Sequence, residues 1–524
     1  MHTQVVIDEG GQGIGAVEAV ARHGAKVSIA PATVERMAAS RRVVEGCLSD
    51  GRAHYGINTG FGSLSRTRIA DHDVAALQRN LIRSHSAGVG PLLPVETVRG
   101  MMFLLAASLA RGKSGARPVI AQTLVEMLNK GVTPAVPETG SVGASGDLAP
   151  LAHMALACIG EGHVVTDTGA VRPAADALLA AGIAALALEA KEGLAMINGT
   201  HLMAAQAALL VADARALMRA AITAAAMSID AARATDAFLD ARVYKARAQR
   251  GPGLVAAAMR ELLAGSEILV SHREDDPRVQ DPYSFRCAPA VLGAAADALL
   301  YVNGAVEREL AAVTDNPLVF GPEGKAEASI ISAGNFHGMP VAIPLDTLAI
   351  AVSHIAGISE RRTFWMLAAY EKESELPHYL TPRPALNSGL MIAQYTAAAC
   401  CNEIIGLAAP ASVANIPTSA GIEDYNSFGP RAAAKARRAL ELATHVVAIE
   451  ILCAAQGLEY HRPLRSGRVI ELAHQRIRSV IPVLTDDRPI APDIGVISGL
   501  MRHAEWMSAA HFDGVETGPP RGIS

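Results

Sequence analysis

The stretch from Thr200 to Ala232 is so rich in alanine that a helix built from it can be buried on both faces, as in the middle of a bundle. The composition extends this to the whole chain: 50% of residues are hydrophobic, 19% charged and only 4% aromatic. That balance excludes a disordered chain and suits long helices that pack closely, with much of their surface buried against partners. Leu299, Val302, Val306 and Leu310 recur at steps of three or four residues, as do Leu345, Leu348, Val352 and Ile355, so each set marks the inner face of a helix. Strand-like material is confined to short pieces. Val5-Val6-Ile7 and Lys26 to Ala30 lie near the start, Val164 to Val171 reads as a hairpin around Asp167-Thr168-Gly169, and Leu318 to Phe320 precedes the turn Gly321-Pro322. The expected fold class is mainly α, a long-helix bundle with small β excursions near the N-terminus.

At roughly 150 residues per domain, 524 residues set a prior of three or four domains, or one large intertwined unit. No internal repeat is evident. The net charge of −5 arises from 46 basic and 51 acidic residues with no long basic stripe, which argues against a nucleic-acid surface. Six cysteines, Cys400 and Cys401 adjacent among them, form neither a disulfide framework nor a C-x-x-C pair. The N-terminus lacks a basic-then-apolar signal pattern. The purest apolar run, Ala177 to Leu188, is bounded by Asp176 and Glu189 and is too short to span a bilayer. A soluble, cytoplasmic protein with no membrane partner is expected, with a frayed tail from Asp513 to Ser524. No H-E-x-x-H or similar ligand spacing occurs, so no catalytic metal is expected.

Gly10-Gly11-Gln12-Gly13-Ile14-Gly15 lies between the two N-terminal strand-like pieces and superficially reads as a dinucleotide-binding turn. Such a site needs an acidic residue at the end of the second strand to hold the ribose hydroxyls. Ala30-Pro31 stands there instead, and no run of βαβ units follows. A glycine-rich turn before a capping helix is the preferred reading.

The densest signal is Gly140-Ser141-Val142-Gly143-Ala144-Ser145-Gly146-Asp147-Leu148-Ala149-Pro150-Leu151-Ala152-His153. Small residues allow a tight backbone, Asp147 suits an N-cap, and Pro150 suits a first helical turn. Ala144-Ser145-Gly146 then lies at a helix N-terminus, where the dipole favours negative charge. Three readings compete. The plainest is a glycine turn before a helix. A second makes Ser145 a hydrolase nucleophile, but the G-x-S-x-G elbow is missing. In the third, the Gly146 nitrogen attacks the Ala144 carbonyl, two waters are lost, and Ser145 becomes an exocyclic methylidene. Glycine suits the attacking position because no Cβ blocks the approach.

This segment resembles the cofactor loop of the aromatic amino acid ammonia-lyase family, whose members carry a self-made 4-methylidene-imidazol-5-one (MIO). The match recurs in separate blocks: Tyr55-Gly56-Ile57-Asn58-Thr59-Gly60-Phe61-Gly62, Asn198-Gly199-Thr200, Gln280-Asp281-Pro282-Tyr283-Ser284-Phe285-Arg286-Cys287, Thr314-Asp315-Asn316-Pro317, Gly334-Asn335-Phe336-His337 and Asn387-Ser388-Gly389. The resemblance covers most of the chain. It implies the long-helix bundle of the ammonia-lyase/fumarase-like type, and a homotetramer whose active sites are each assembled from three subunits. It also places the domains at 1–198 (the cofactor loop and the tyrosine loop), 199–512 (helical bundle) and 513–524 (tail).

Eliminating ammonia from an α-amino acid requires removal of a weakly acidic β-hydrogen and departure of a poor leaving group. An electrophile that captures the amine, sharpened by a helix N-terminus, improves the leaving group. A base is also needed, and an unshifted tyrosine, with a pKa of about 10, is too protonated near neutrality. Neighbours must shift it, so activity is expected to rise toward alkaline pH. By resemblance Tyr55 is the β-proton base, Arg286 grips the substrate carboxylate as a fork, and Tyr283 assists proton transfer or ammonia release. Asn198 and Gln280 hold the carboxylate or the cofactor oxygen, and Asn335 and Phe336 line the site.

Substrate choice in this family resides largely in a pair within Asn80 to Gly88. An apolar pair marks phenylalanine lyases and His-Leu marks tyrosine lyases, whereas Ser84-His85 resembles the histidine-directed members. An imidazole substrate wants a polar partner, and Glu423 matches the glutamate that contacts it. A phenyl ring would leave such a polar pair unpaired at a cost in free energy. Read alone, His85 is more simply a satisfied core histidine; its joint occurrence with Glu423 reverses that. Two features depart from the pattern. Tyr425-Asn426-Ser427-Phe428-Gly429 is closer to the phenylalanine branch, and His201 has no derivable role. The expected reaction is conversion of L-histidine to trans-urocanate and ammonia. The alternatives are phenylalanine or tyrosine elimination, a 2,3-aminomutase on the same cofactor, and a helical assembly with a degenerate site.

Overall fold

The structure, a computed structural model, describes residues 4–50, 52–62, 67–166, 168–274, 276–322 and 327–502. Helices dominate it, and the strands are two to four residues long. The expected long helix is His201–Ala231, and every residue from 220 to 231 is buried, so both faces of its alanine-rich half are covered. Leu299, Val302, Val306 and Leu310 are buried along Ala288–Leu310, and Leu345, Leu348, Val352 and Ile355 along Met339–Ala368. Each set forms the inner face that its spacing predicts.

Two compact units are distinguishable. One comprises Met1–Ala212, Asn303–Asp346 and Pro410–Ala434; the other comprises Asp213–Val302, Thr347–Ala409 and Lys435–Ser524. Neither is a single stretch of sequence, so neither coincides with a division at 198/199. The physical reason is that four long helices, His201–Ala231, Ala288–Leu310, Met339–Ala368 and Gly429–Glu459, contribute residues to both units. The tail from Asp513 lies outside the described residues.

The β pieces fall where the sequence places them. His163–Val165 and Val171–Pro173 form an antiparallel pair with Val165 opposite Val171, joined through a turn whose Asp167 lies outside the described residues. Leu318–Phe320 pairs with Ser329–Ile331. At the N-terminus, Gln4–Ile7 and Lys26–Ile29 pair in parallel around the helix Ile14–Arg22, which is βαβ geometry. The sheet stops at those two strands among the described residues, and Ala30 leads directly into the helix Pro31–Ser49. A dinucleotide platform is therefore not built there. Gly13 instead sits at the N-cap position of Ile14–Arg22, whose Ile14, Val17 and Val20 are buried.

The apolar run 177–188 is not one helix: Ala174–Ala180 ends within it. Three other helices, Ala288–Leu310, Met339–Ala368 and Gly429–Glu459, are long and apolar enough to cross a membrane by length and composition. In them 50%, 61% and 83% of the most apolar window is buried inside the chain, so the protein itself covers much of that surface.

Within the second unit a charged pair occupies the interior. Arg362 and Glu450 are both fully buried, with Arg362 Nη2 2.8 Å from Glu450 Oε2. Ser228 Oγ donates to Glu450 Oε1 at 2.8 Å, and Arg362 Nη1 donates to the Ser284 carbonyl at 3.1 Å. Removing one partner strands the other charge without water. Arg362→Met is expected to lower unfolding stability by about 3–5 kcal/mol, and the Arg362→Met/Glu450→Met double variant to recover most of that loss. Chemical denaturation of the three proteins checks it; a double variant as unstable as the single one contradicts it.

Candidate active site

Three loops of the first unit converge on one cavity of about 850 Å³. The first carries Tyr55 on a turn from residue 55 to 58. The amides of Ile57 and Asn58 donate to the His54 carbonyl at 3.1 and 3.2 Å, and Asn58 Oδ1 accepts from the His54 amide at 2.7 Å. Gly56 holds φ +75°, and a Cβ there would come within 2.5 Å of Leu194 Cδ2, so only glycine fits. Tyr55 is half-buried. Burial, and secondarily the Glu423 carboxylate, push its phenol above the ordinary tyrosine range, against a backbone hydrogen bond from Gly62. The sequence requires a shift of this base; within this chain the shift is upward.

The second loop is Gly140 to Asp147. It is tied down along its length: Phe428 N donates to Val142 O, Gly338 N and Ser427 Oγ donate to Gly143 O, and Gly199 N donates to Ser145 O. Gly146 sits at φ +72° against Gly199, whose carbonyl oxygen lies 2.1 Å from where a Cβ would be. Asp147 occupies the N-cap position of the helix Leu148–Cys158 but does not cap it with its side chain. Instead Oδ2 accepts from Met203 N at 3.0 Å, in the first turn of His201–Ala231, while Oδ1 accepts from Ser141 Oγ at 3.1 Å. It caps a neighbouring helix in trans, which sequence proximity cannot show. Complete burial raises the Asp147 carboxyl to about 7. Ala144 is buried and Ser145 faces the cavity, where Ser145 Oγ donates to Glu423 Oε1 at 3.0 Å.

Glu423 arrives on the third loop. Its Oε2 accepts from Thr418 Oγ1 at 2.8 Å, and the preceding Ser419 and Ala420 both hold positive φ, 51° and 53°. Non-glycine residues in that region are strained, and such strain clusters at functional loops.

His85 lies at the end of the helix Val74–His85 and lines the same cavity. Its Nδ1 lies 2.9 Å from the Leu81 carbonyl, which can only accept, so Nδ1 carries the proton and Nε2 keeps a lone pair. Burial lowers its pKa, so it is neutral near pH 7. Ser84 is not among the lining residues; its hydroxyl donates to the Leu81 carbonyl at 3.1 Å. It differs from expectation because a side chain one residue before His85 leaves the helix in another direction. Just beyond, the Gly88 amide donates to His153 Nε2 at 3.0 Å, tying this segment to the cofactor-loop helix.

Asn198 lines the cavity at the end of the helix Glu192–Ile197. The block Thr314 to Pro317 holds that helix at both ends. Lys191 Nζ donates to Asp315 Oδ2 at 2.7 Å in a buried ion pair, and Asn198 Nδ2 donates to the Asn316 carbonyl at 2.9 Å. Asn198 Oδ1 is buried with no partner in the chain, an acceptor left for a ligand. Phe336 lines the cavity, but Asn335 does not: its amide turns to the Val313 carbonyl, and the residue is exposed.

Gln280, Tyr283 and Arg286 are not brought to this cavity within the chain. They lie in the second unit. Gln280 is exposed, Tyr283 is 70% exposed, and the Arg286 guanidinium stacks 4.4 Å from the Tyr283 ring centre while Nε donates to the Asp281 carbonyl at 2.9 Å.

His337 and Tyr425 are among the lining residues that had no assigned role from sequence. Their rings lie 6.3 Å apart, and His337 Nε2 donates to the Tyr425 carbonyl at 3.0 Å. His337 follows Phe336 directly and Tyr425 stands two residues after Glu423, so adjacency to matched positions was the available signal. His201 is buried with both ring nitrogens unpartnered, and burial lowers its pKa to about 3. It is thus a neutral imidazole behind Gly199.

The Ala144-Ser145-Gly146 segment fits the MIO group that the family's loop forms. Gly146 is held in a backbone conformation and a cradle that exclude any Cβ, and the unpartnered Asn198 Oδ1 lies in the same cavity wall. A family model described as aromatic amino acid lyase matches residues 13–479. A histidine ammonia-lyase of Anaeromyxobacter sp. (strain K) is 47% identical over 492 residues, 93% of this chain and 96% of that protein. The crystal structure of histidine ammonia-lyase from Trypanosoma cruzi superposes with a TM-score of 0.90 at 38% identity, covering 99% of both chains. A tyrosine aminomutase from Streptomyces globisporus reaches the same TM-score at 33% identity, covering 96% of this chain and 98% of that one. Matches along nearly its whole length show that this chain belongs to the aromatic amino acid lyase family.

Proposed function

We propose that this lyase eliminates ammonia from L-histidine to give trans-urocanate. The observation that carries the reading is that His85 and Glu423 share one cavity with Tyr55 and Ser145, in a chain 47% identical to a histidine ammonia-lyase. His85 Nε2 and the Glu423 carboxylate are both acceptors on the cavity wall, and one of them takes the single N–H of a neutral substrate imidazole. Tyr55, as phenolate, takes the β-proton. The unpartnered Asn198 Oδ1 orients a donor on the substrate. An MIO group formed from Ala144-Ser145-Gly146 supplies an electrophile for the departing amine. Phe336 and the His337–Tyr425 pair wall the cavity.

A substrate carboxylate needs a cation, and among the described residues the cavity lining includes no arginine or lysine. The reading is therefore completed by a homotetramer in which neighbouring copies supply Arg286, Tyr283 and Gln280, and it places the enzyme in the cytoplasm. Tyr425 to Gly429, together with the likeness to a tyrosine aminomutase, favours a second reading, an aminomutase or a lyase acting on a phenyl side chain. Incubation with L-histidine alone, with the product identified by mass and ultraviolet spectrum, tests the first reading. It expects the conjugated acid urocanate; a β-amino acid of unchanged mass selects the aminomutase.

Glu423→Gln is expected to lower kcat/KM for histidine about 10- to 100-fold, as for loss of a hydrogen bond to a charged group, and to affect phenylalanine turnover far less. Steady-state kinetics on both amino acids checks it, and equal losses on the two would remove Glu423 from imidazole recognition.

A further inference from the structure

Outside this cavity, Cys47, Asp50 and His54 bring a thiol, a carboxylate and an imidazole together at the C-terminal end of the helix Pro31–Ser49. Their ligand atoms lie within 4.8 Å of one another, and among the described residues they form the one group of three such side chains. Cys47 in the last turn and Asp50 at the C-cap position, three residues apart, lie on one side of the helix end. There the chain turns back far enough that His54 Nε2 lies 2.8 Å from Asp50 Oδ2. Cys47 packs against the apolar cluster of Val44, Ile57, Val74, Ala190 and Val319, which holds the thiol from the inner side while Asp50 stays open to solvent.

We propose that Cys47 Sγ, an Asp50 carboxylate oxygen and His54 Nε2 form a binding site for a zinc-class divalent cation, with the fourth position left to water. Sulfur, nitrogen and oxygen together suit a borderline-soft, four-coordinate ion, whereas magnesium and calcium take oxygen sets. Bonds of about 2.0–2.3 Å in a tetrahedron place neighbouring ligand atoms about 3.5 Å apart. Rotamer adjustments that bring the widest separation in by about an ångström and open the His54–Asp50 pair from 2.8 Å complete the site without moving the helix. The backbone of His54 also begins the turn that presents Tyr55, since its carbonyl accepts from Ile57 N and Asn58 N. The ion therefore sits at the base of that turn and takes no part in the reacting centre.

Isothermal titration of the chelator-treated full chain with zinc chloride tests the site, alongside absorption spectra with cobalt(II) in its place. The expected result is one zinc per chain, and a near-ultraviolet thiolate-to-cobalt band that disappears in Cys47→Ser. Cys47→Ser and His54→Gln should each weaken zinc binding at least about tenfold, with circular dichroism in metal-free buffer unchanged. His54→Gln, beyond the end of the helix, serves if the cysteine variant fails to fold. Absence of zinc binding by the parent chain, or equal affinity in the folded variants, overturns the proposal.

Discussion

Replacement of Ser145 by alanine is expected to stop ammonia release, lowering the rate at least about 1,000-fold while the chain still folds. The Ser145 hydroxyl is the group that must leave if the exocyclic methylidene is to form, and alanine has nothing to lose. The cost to the fold is small, because the side chain gives up one hydrogen bond, to Glu423 Oε1, at a wall of the cavity and not in the core. Intact mass spectrometry reads the chemistry independently of turnover. The parent chain should weigh less than its sequence by two waters, and Ser145→Ala by at most the one that ring closure releases. A parent chain at full mass, or an alanine variant of undiminished activity, contradicts the role given to this loop.

The second large effect is expected at Tyr55. Tyr55→Phe keeps the ring that fills the turn and removes the proton acceptor, so kcat should fall about 100- to 10,000-fold, the range for loss of a general base. The sign of the pH dependence follows from the direction of the shift. Burial and the Glu423 carboxylate hold the phenol above its usual value, so near neutrality the protonated form dominates. Activity should then climb about tenfold per pH unit through the neutral and mildly alkaline range, because each unit raises the phenolate fraction tenfold. The phenylalanine variant should have lost that slope along with most of its rate. A residual activity that keeps the same slope assigns the titration to another group.

Much of this was legible in the sequence, for reasons that differ element by element. Thr200 to Ala232 could be read as a helix covered on both sides because alanine leaves neither face distinguishable, and the half of His201–Ala231 from residue 220 on is buried in that way. The glycines around Ser145 and Tyr55 mark backbone that side chains cannot follow, as Gly56 and Gly146 show at positive φ against their neighbours. His85 and Glu423, 338 positions apart, could be joined only through the resemblance, and the structure puts both on one cavity.

What escaped the sequence depends on which way a side chain leaves the backbone and on distant partners. Ser84 and Asn335 stand beside lining residues yet spend their polar groups on backbone carbonyls. Asp147 looks like the cap of its own helix and serves another. The pairs Lys191–Asp315 and Arg362–Glu450 join residues 124 and 88 positions apart, beyond any local pattern. The βαβ geometry of Gln4 to Ile29 shows the opposite case, local structure formed without the ligand chemistry that usually accompanies it.

On the proposed reading, the cavity holding Tyr55, His85, Ser145 and Glu423 selects an imidazole side chain for ammonia elimination. Side-by-side determination of kcat/KM for L-histidine, L-phenylalanine and L-tyrosine, each product identified by mass and ultraviolet spectrum, tests it most directly. The expected result is urocanate from histidine at a kcat/KM at least about 100-fold above the other two, the order of discrimination that a polar pocket gains over an apolar ring. Cinnamate or coumarate formed faster than urocanate would contradict it.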